Sequence, residues 1–336
     1  MPRETLQSAD SDWVQRFLIW PLEAVAFFTL LCLFTILPRR AASCLGGAIA
    51  GFLGTRLSEQ HMRGMSRNLA VAFPELGPQA KAALQRRIWQ HFGRVLSHLP
   101  LAPRLRRRSD LGSLIEVEGT EYLAEAARSG RFLLVGAHFG HWELTPWHAA
   151  LTGYPMSALY TPEPNPWIDH MIRWLRNRGS PGSRLIARGP SAVRQMIDSL
   201  KRGRGLFIIV DQRVNDGVWL PYFGTLAQTT TTPARLARRF DCPILIGRAI
   251  LLPEGRYRLS YYEPLRPHQA RDADVDILAM TQVINNTFES WIREYPEQWL
   301  CMKRRWPKST KPAKVPSRQV TAKSEGIRAR ISAEVD

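Results

Sequence analysis

The chain has 336 residues, enough for one large domain or two small ones around a substantial core. Its formal charge of +17, from 46 Lys and Arg against 29 Asp and Glu, calls for an acidic partner such as nucleic acid, anionic lipid or an acidic protein. Four scattered cysteines, Cys32, Cys44, Cys242 and Cys301, form no CxxC; they argue against a zinc ribbon or a disulfide framework and fit a reducing compartment.

Residues 1–16 form an amino-terminal flank carrying Glu4, Asp10 and Asp12. That acidic start argues against a cleavable signal peptide. Residues 17–37, FLIWPLEAVAFFTLLCLFTIL, are predominantly apolar and of bilayer-spanning length. Pro21 and Glu23 confine the clean portion to Ala24–Leu37, so a helix embedded in one leaflet and a buried core helix are the competing readings. Arg39 and Arg40 follow directly, and the positive-inside tendency places everything after residue 38 on the cytoplasmic side.

From Ala41 to Gly54 the chain is small and glycine-rich. A helix around NLAVAFPEL ends at Pro74, and an amphipathic helix follows from about Pro78 to Leu99 through Ala83, Leu84, Ile88, Phe92 and Val95. The stretch PRLRRRSD, with Arg104, Arg106, Arg107 and Arg108, reads as a solvated basic loop or as a contact for lipid phosphates.

The middle of the chain alternates. Strand-like runs at Phe132–Val135, Met156–Tyr160, Gly205–Val210, Ile244–Leu252 and RYRLSYYEPL are separated by helical patterns at Asn165–Arg178, Ser191–Lys201, Thr232–Phe240 and Asp274–Glu294. This rhythm predicts an α/β fold with a central, mostly parallel sheet flanked by helices. Sites in such sheets collect at the carboxyl ends of strands, which draws attention to His138 after the first run and to Asp211 after the third. Asp211 also reads as an ordinary turn or cap residue.

Within RFLLVGAHFGHWELTPWHAA, a strand, a tight turn and a helix start succeed one another. Five residues of regular helix rotate by about 500°, so His138 and Glu143 can meet only with His138 on the loop and Glu143 on the first helical turn. That arrangement suits a general base whose tautomer is set by a carboxylate. The N–H groups of Phe139, Gly140 and His141 would then face a developing oxyanion. By composition alone about 0.7 His-x4-Asp/Glu pairs are expected, so the pattern needs its context. A satisfied core or capping histidine competes. So does a metal site of His138, His141, Glu143 and His148, although no HExxH or Cys-rich spacing supports one and no metal is expected. HFGH also fits the HxGH signature of class I aminoacyl-tRNA synthetases. The lysine-rich loop such an enzyme needs would fall at Lys308–Lys311, in the Pro-, Lys- and Ser-rich tail.

These features divide the chain into the flank 1–16, an anchor 17–37, a catalytic domain 38–306 and a tail 307–336 expected to be disordered. Five motifs in register then resemble one family: NLAVAFPEL at 68, GAHFGHWEL at 136, NPWID at 165, DQRVNDGVWLPYFGTLAQTTTTPARLA at 211 and YPEQWLCMKRRW at 295. With the apolar amino terminus, they make residues 16–306 similar to the lipid A late acyltransferases of lauroyl/myristoyl type, within the lysophospholipid acyltransferase superfamily.

The resemblance implies that His138 and Glu143 are the catalytic dyad. It further implies an inner-membrane enzyme facing the cytoplasm that moves a fatty acyl chain from acyl carrier protein to a hydroxyl of an anionic lipid A precursor. No nucleophilic Ser or Cys sits in an elbow-like motif, so direct attack by the hydroxyl is expected, without an acyl-enzyme, cofactor or nucleic acid. Gly140, Asp211, the Thr229–Thr231 run and the cluster Lys303, Arg304, Arg305 are candidates for substrate binding, Thr229, Thr230 and Arg304 among them. His141 reads as a helix-start residue, and Trp142 and Trp147 as packing or membrane-interface residues. The family's Tyr-Arg-Pro is here Tyr160-Thr161-Pro162, and Arg173, Arg188 or Arg194 would have to replace the missing arginine. Another membrane glycolipid or phospholipid as acceptor, and a membrane-anchored lipid-binding protein without turnover, are the alternatives.

Overall fold

The computed structural model describes residues 13–57, 59–101, 112, 114–253, 255–269 and 272–307. The basic stretch at 104–108 and the tail from 308 lie outside these residues. The chain opens with a π-helical turn, Gln15–Ile19, that runs into α1 (Trp20–Ile36). Three more helices follow, α2 (Arg39–Leu57), α3 (Glu59–Ala72) and α4 (Pro78–His98). Strands and helices then alternate: β1 (Ile115–Glu118), α5 (Thr120–Ala127), β2 (Leu133–Gly136), α6 (Leu144–Leu151), β3 (Met156–Tyr160), α7 (Pro166–Gly179), β4 (Arg184–Ala187), α8 (Ala192–Lys201) and β5 (Gly205–Ile209). A hairpin of β6 (Val218–Tyr222) and β7 (Thr225–Thr229) precedes α9 (Thr232–Phe240), β8 (Ile244–Leu251), β9 (Tyr257–Tyr261) and α10 (Ala273–Glu294).

Seven strands form one sheet in the order β1-β9-β8-β2-β5-β3-β4. Every neighbouring pair is parallel except β8 and β9, so the expected mostly parallel sheet flanked by helices is the fold found. Strand β2 lies at the centre, with Leu133 opposite Leu206 on one side and Ile244 on the other. Its side chains alternate between two buried faces, as strand geometry requires. Leu133 and Val135 join α8, α9 and α10 through Met196, Leu200, Leu236, Ile284 and Phe288. Leu134 joins α5 and α6 through Leu123, Ala126 and Trp147 on the opposite face. Burial on both faces explains why these strands read as unbroken apolar runs. Of the edge strands, β1 alternates Glu116 and Glu118 with apolar residues, and β4 offers only Leu185–Ala187 after Arg184, so neither gives a run of that length.

The glycine-rich stretch at 41–54 is part of α2, which lies directly against α4. A Cβ on Gly93 would sit 2.0 Å from the Gly46 carbonyl oxygen, and one on Gly46 would sit 2.5 Å from that of Gly93. Only paired glycines permit this approach. Helix α1 is different in kind: Leu22, Val25, Phe28 and Ile36 are each more than half exposed, and only Phe34 is buried. Gln15–Ile36 is the one helix among the described residues long and apolar enough to cross a membrane. Asn165 fastens it to the domain by donating from Nδ2 to the Trp20 carbonyl (2.9 Å) and to Glu23 Oε2 (3.0 Å), while its Oδ1 caps α7 at Trp167 and Ile168. The carboxylate that interrupts the apolar run is therefore satisfied by the body of the protein.

Gly93→Val should lower stability by about 1–3 kcal/mol by overpacking the α2–α4 contact, read from denaturant unfolding of the detergent-solubilised chain; an unchanged midpoint would show that the two helices can part without cost.

Candidate active site

Strand β2 ends at Gly136, and the loop from Ala137 to Glu143 leads into α6. This loop is braced on two sides. Leu300 N donates to the His138 carbonyl (2.8 Å), and Gly140 N donates to the Gln298 carbonyl (2.9 Å). His141 N donates to the Ala249 carbonyl at 2.8 Å, and Phe139 N to that of Ala137 at 2.7 Å. Gly140 has φ +57°, and a Cβ there would lie 1.9 Å from the Ala249 oxygen, so both its torsion and its surroundings demand glycine. The three amides expected to face an oxyanion are thus all engaged inside the fold. The loop pairs with β8 and the carboxy-terminal segment, and sequence spacing cannot show such pairing.

The same bracing presents the His138 ring to a cleft of 610 Å³. His138 Nδ1 lies 2.7 Å from Oδ1 of Asp211, which follows β5, the strand adjacent to β2. Glu143 is not its partner. The carboxylate that meets the imidazole comes from the neighbouring strand end, because the turn from loop to α6 carries Glu143 to Arg176 instead. Asp211 is 5% exposed, and its Oδ2 accepts from Trp299 Nε1 at 3.2 Å. Burial alone would raise this carboxyl; the His138 charge, hydrogen bonds from His138 and the Trp299 bond outweigh it and hold Asp211 below its ordinary value. An ionised Asp211 accepts a hydrogen bond from Nδ1–H, which leaves Nε2 as the acceptor. Gln212 Nε2 lies over the ring, 3.3 and 3.4 Å from its two nitrogens, and Trp142 meets it edge-on with centroids 5.5 Å apart. Trp142 therefore belongs to the cleft, and so does Trp147, whose other side packs against the 1%-exposed His141 outside it.

Glu143 lines the same cleft. Arg176, three turns along α7, donates to its Oε1 from Nε (2.9 Å) and Nη2 (2.6 Å), leaving Oε2 without a fork. Burial works against the charge on Arg176, but Glu143, with Glu163 and Tyr160, more than restores it and raises its pKa. Arg176 carries no motif in the sequence; its place near the end of the Asn165–Arg178 helical pattern is the one signal it offers. Of the three arginines considered as replacements at Thr161, only Arg188, just beyond β4, lines the cleft beside Thr161. Arg173 faces Asp169 at 3.9 Å on an exposed helix surface, and Arg194 is exposed on α8.

The remaining candidates lie elsewhere. Thr229 Oγ1 accepts from Arg305 Nη2 (2.7 Å), and Nη1 of that 1%-exposed arginine donates to the Gln228 carbonyl. Thr230 Oγ1 is turned to Thr232 at the start of α9. The Arg305 contacts are internal struts, formed because a buried guanidinium must find acceptors, and the Thr230 hydroxyl braces the start of α9. Of the basic cluster, Lys303 lines the cleft while Arg304 does not. Phe92, Trp147, Met156, Ala158, Phe207 and Ile209 supply an apolar wall suited to a hydrocarbon chain. No group of His, Cys, Asp and Glu able to hold a metal is found among the described residues.

The lowered Asp211 value has a defined sign. A carboxyl depressed in the folded state stabilises the fold above its unfolded pKa of about 3.9 and loses that contribution as pH falls through the folded value. Asp211→Asn should therefore flatten the fall in urea midpoint below about pH 4; an acid limb as steep as that of the wild type would sever the link between Asp211 and His138.

The model of the family described as "Bacterial lipid A biosynthesis acyltransferase" matches residues 10–308. The lipid A biosynthesis lauroyltransferase of Escherichia coli K12 is 28% identical over 277 residues, covering 81% of this chain and 87% of that protein. The lipid A biosynthesis acyltransferase of Haemophilus influenzae is 22% identical over 84% of this chain and 86% of its own length, and the E. coli palmitoleoyltransferase 25% over 76% and 84%. With a match running from before α1 to beyond the loop braces, the chain belongs to the bacterial lipid A biosynthesis acyltransferase family.

Proposed function

We propose that the protein transfers a fatty acyl chain from the thioester of acyl carrier protein to a hydroxyl of a lipid A precursor. The observation that carries this reading is a His138 ring that lines a cleft with an apolar wall and is held from behind by the buried Asp211. The acyl chain lies along Met156, Ala158, Phe207 and Ile209, with its thioester carbonyl near His138. Nε2 removes the proton of the acceptor hydroxyl as its oxygen attacks the carbonyl carbon. Asp211 holds the ring in the tautomer that can accept that proton and stabilises the imidazolium formed. The tetrahedral intermediate collapses by breaking the C–S bond, and the imidazolium returns the proton to the leaving thiolate.

With the amides of Phe139, Gly140 and His141 engaged, the oxyanion falls to those of Trp142 and Glu143 at the start of α6, where the helix dipole favours negative charge. Glu143 serves as the second member of the site. Clamped by Arg176, it keeps Oε2 in the cleft to accept from the acceptor hydroxyl and hold it against His138. Arg176, Arg188 and Lys303 supply cationic groups around the cleft for phosphate on the acceptor, which answers the loss of arginine at Thr161. Helix α1 lies in the inner membrane with the domain on the cytoplasmic side, so that the acceptor hydroxyl and the soluble carrier both reach the cleft. The basic excess favours two anionic partners. A different glycolipid acceptor would use the same chemistry.

In detergent, with labelled acyl carrier protein and a lipid A precursor, His138→Ala should lose transfer almost completely, and Asp211→Asn and Glu143→Ala should each lose about 10²-fold or more. Transfer by His138→Ala near the wild-type rate would remove the mechanism, and no transfer by the wild type to any glycolipid tried would leave a lipid-binding protein.

Arg176→Ala should match Glu143→Ala and add little to it in the double variant, because each leaves the other's charge unpaired. Additive losses would place the two in separate roles.

A further inference from the structure

Helix α4 separates the catalytic cleft from a second cavity, of 830 Å³, between α2, α4 and the end of β8. Phe92 faces the cleft; Arg87, His91 and Arg94 of the same helix face the second cavity, as do Arg39 and Arg40 at the start of α2. Glu297 is the one carboxylate among the described residues that line it. None of the four arginines makes an ion pair among the described residues, and Arg39 Nε is buried with no acceptor. Four guanidinium groups gathered around one hollow repel one another unless an anion joins them. Leu251, Leu252 and Pro253 give the cavity an apolar side as well.

Its position names the kind of anion. Arg39 stands three residues beyond Ile36, where the exposed apolar helix α1 ends. Lipid phosphates occupy the level at which such a helix leaves a bilayer, and clustered basic residues there bind them. His91, 6% exposed, lines this cavity and interacts with the backbone of Gly140, so an occupant would share a wall with the loop that carries His138.

We propose that this basic recess binds the phosphodiester headgroup of an anionic phospholipid from the leaflet surrounding α1, at a site separate from the acyl-transfer cleft. The proposal rests on the membrane placement of α1 and not on the transfer chemistry.

The test uses the full-length chain in neutral detergent, titrated with dihexanoyl phosphatidylglycerol, dihexanoyl phosphatidylcholine or inorganic phosphate. Binding is read from phosphorus NMR line broadening and from the thermal midpoint. Phosphatidylglycerol should bind, and Arg40→Gln/Arg87→Gln, both on exposed positions, should weaken it about tenfold or more. The single Arg40→Gln should show part of the same loss, which keeps the result readable if the double variant folds poorly. Equal binding by wild type and variants would overturn the recess as the site. Phosphatidylcholine binding as tightly as phosphatidylglycerol, or phosphate alone doing so, would overturn its assignment to an anionic lipid. Flotation of the chain with pure phosphatidylcholine vesicles tests the placement of α1 by itself, because that lipid carries no net charge for the recess to read.

Discussion

The site depends on the bracing of one short loop. Between Ala137 and His141 the backbone is bonded to the carboxy-terminal segment through Gln298 and Leu300 and to β8 through Ala249. Each bond is modest singly, about 0.5–1.5 kcal/mol net, but together they remove the freedom of the residues around His138. The ring is then positioned by its backbone before Asp211 binds it. Trp299, from the same bracing segment, donates to the far oxygen of Asp211, so one stretch of chain steadies both members of the pair.

A second constraint acts across the cleft. Glu143 is 8% exposed, and Arg176 meets it with two N–H groups. A carboxylate so withdrawn from water is stable as an anion only beside a cation, and the guanidinium is as dependent on the carboxylate. The pair links the start of α6 to α7, and so ties the floor of the cleft to the wall that carries Tyr160 and Thr161. Its charge-assisted geometry is compatible with an apolar interior because each charge finds its partner within the protein.

Much of this was legible in the sequence, for physical reasons that differ by residue. Strands β2, β5 and β8 are buried on both faces and cannot avoid appearing as apolar runs, while at the sheet edges β1 alternates with glutamates and β4, with three apolar residues, is too short to stand out. The rule that sites lie at strand ends drew attention to Asp211 without showing that it meets His138, 73 residues away; the spacing that favoured Glu143 is local, and a local pattern cannot register a contact made by strand pairing. Thr229 and Arg305 show the same limit from the other side. The basic cluster reads as a substrate-binding group, but the fold buries one member at 1% exposure and gives its guanidinium a carbonyl and a hydroxyl. Gly140 was marked for its amide, but its backbone torsion and the Ala249 carbonyl against its Cα are what require glycine there.

Asn165 joins α1 to α7, and α7 carries Arg176 further along its length. The apolar helix is therefore not a flexible leash. The Asn165 amide and the packing of α1 against α7 together couple its position to the helix that forms a wall of the cleft. Under the proposed placement of α1 in the bilayer, this makes the cleft's height above the hydrocarbon boundary a built-in dimension of the protein, so that how far an acceptor headgroup must rise to meet His138 is set by the seating of α1 on the domain rather than by diffusion of a tethered body.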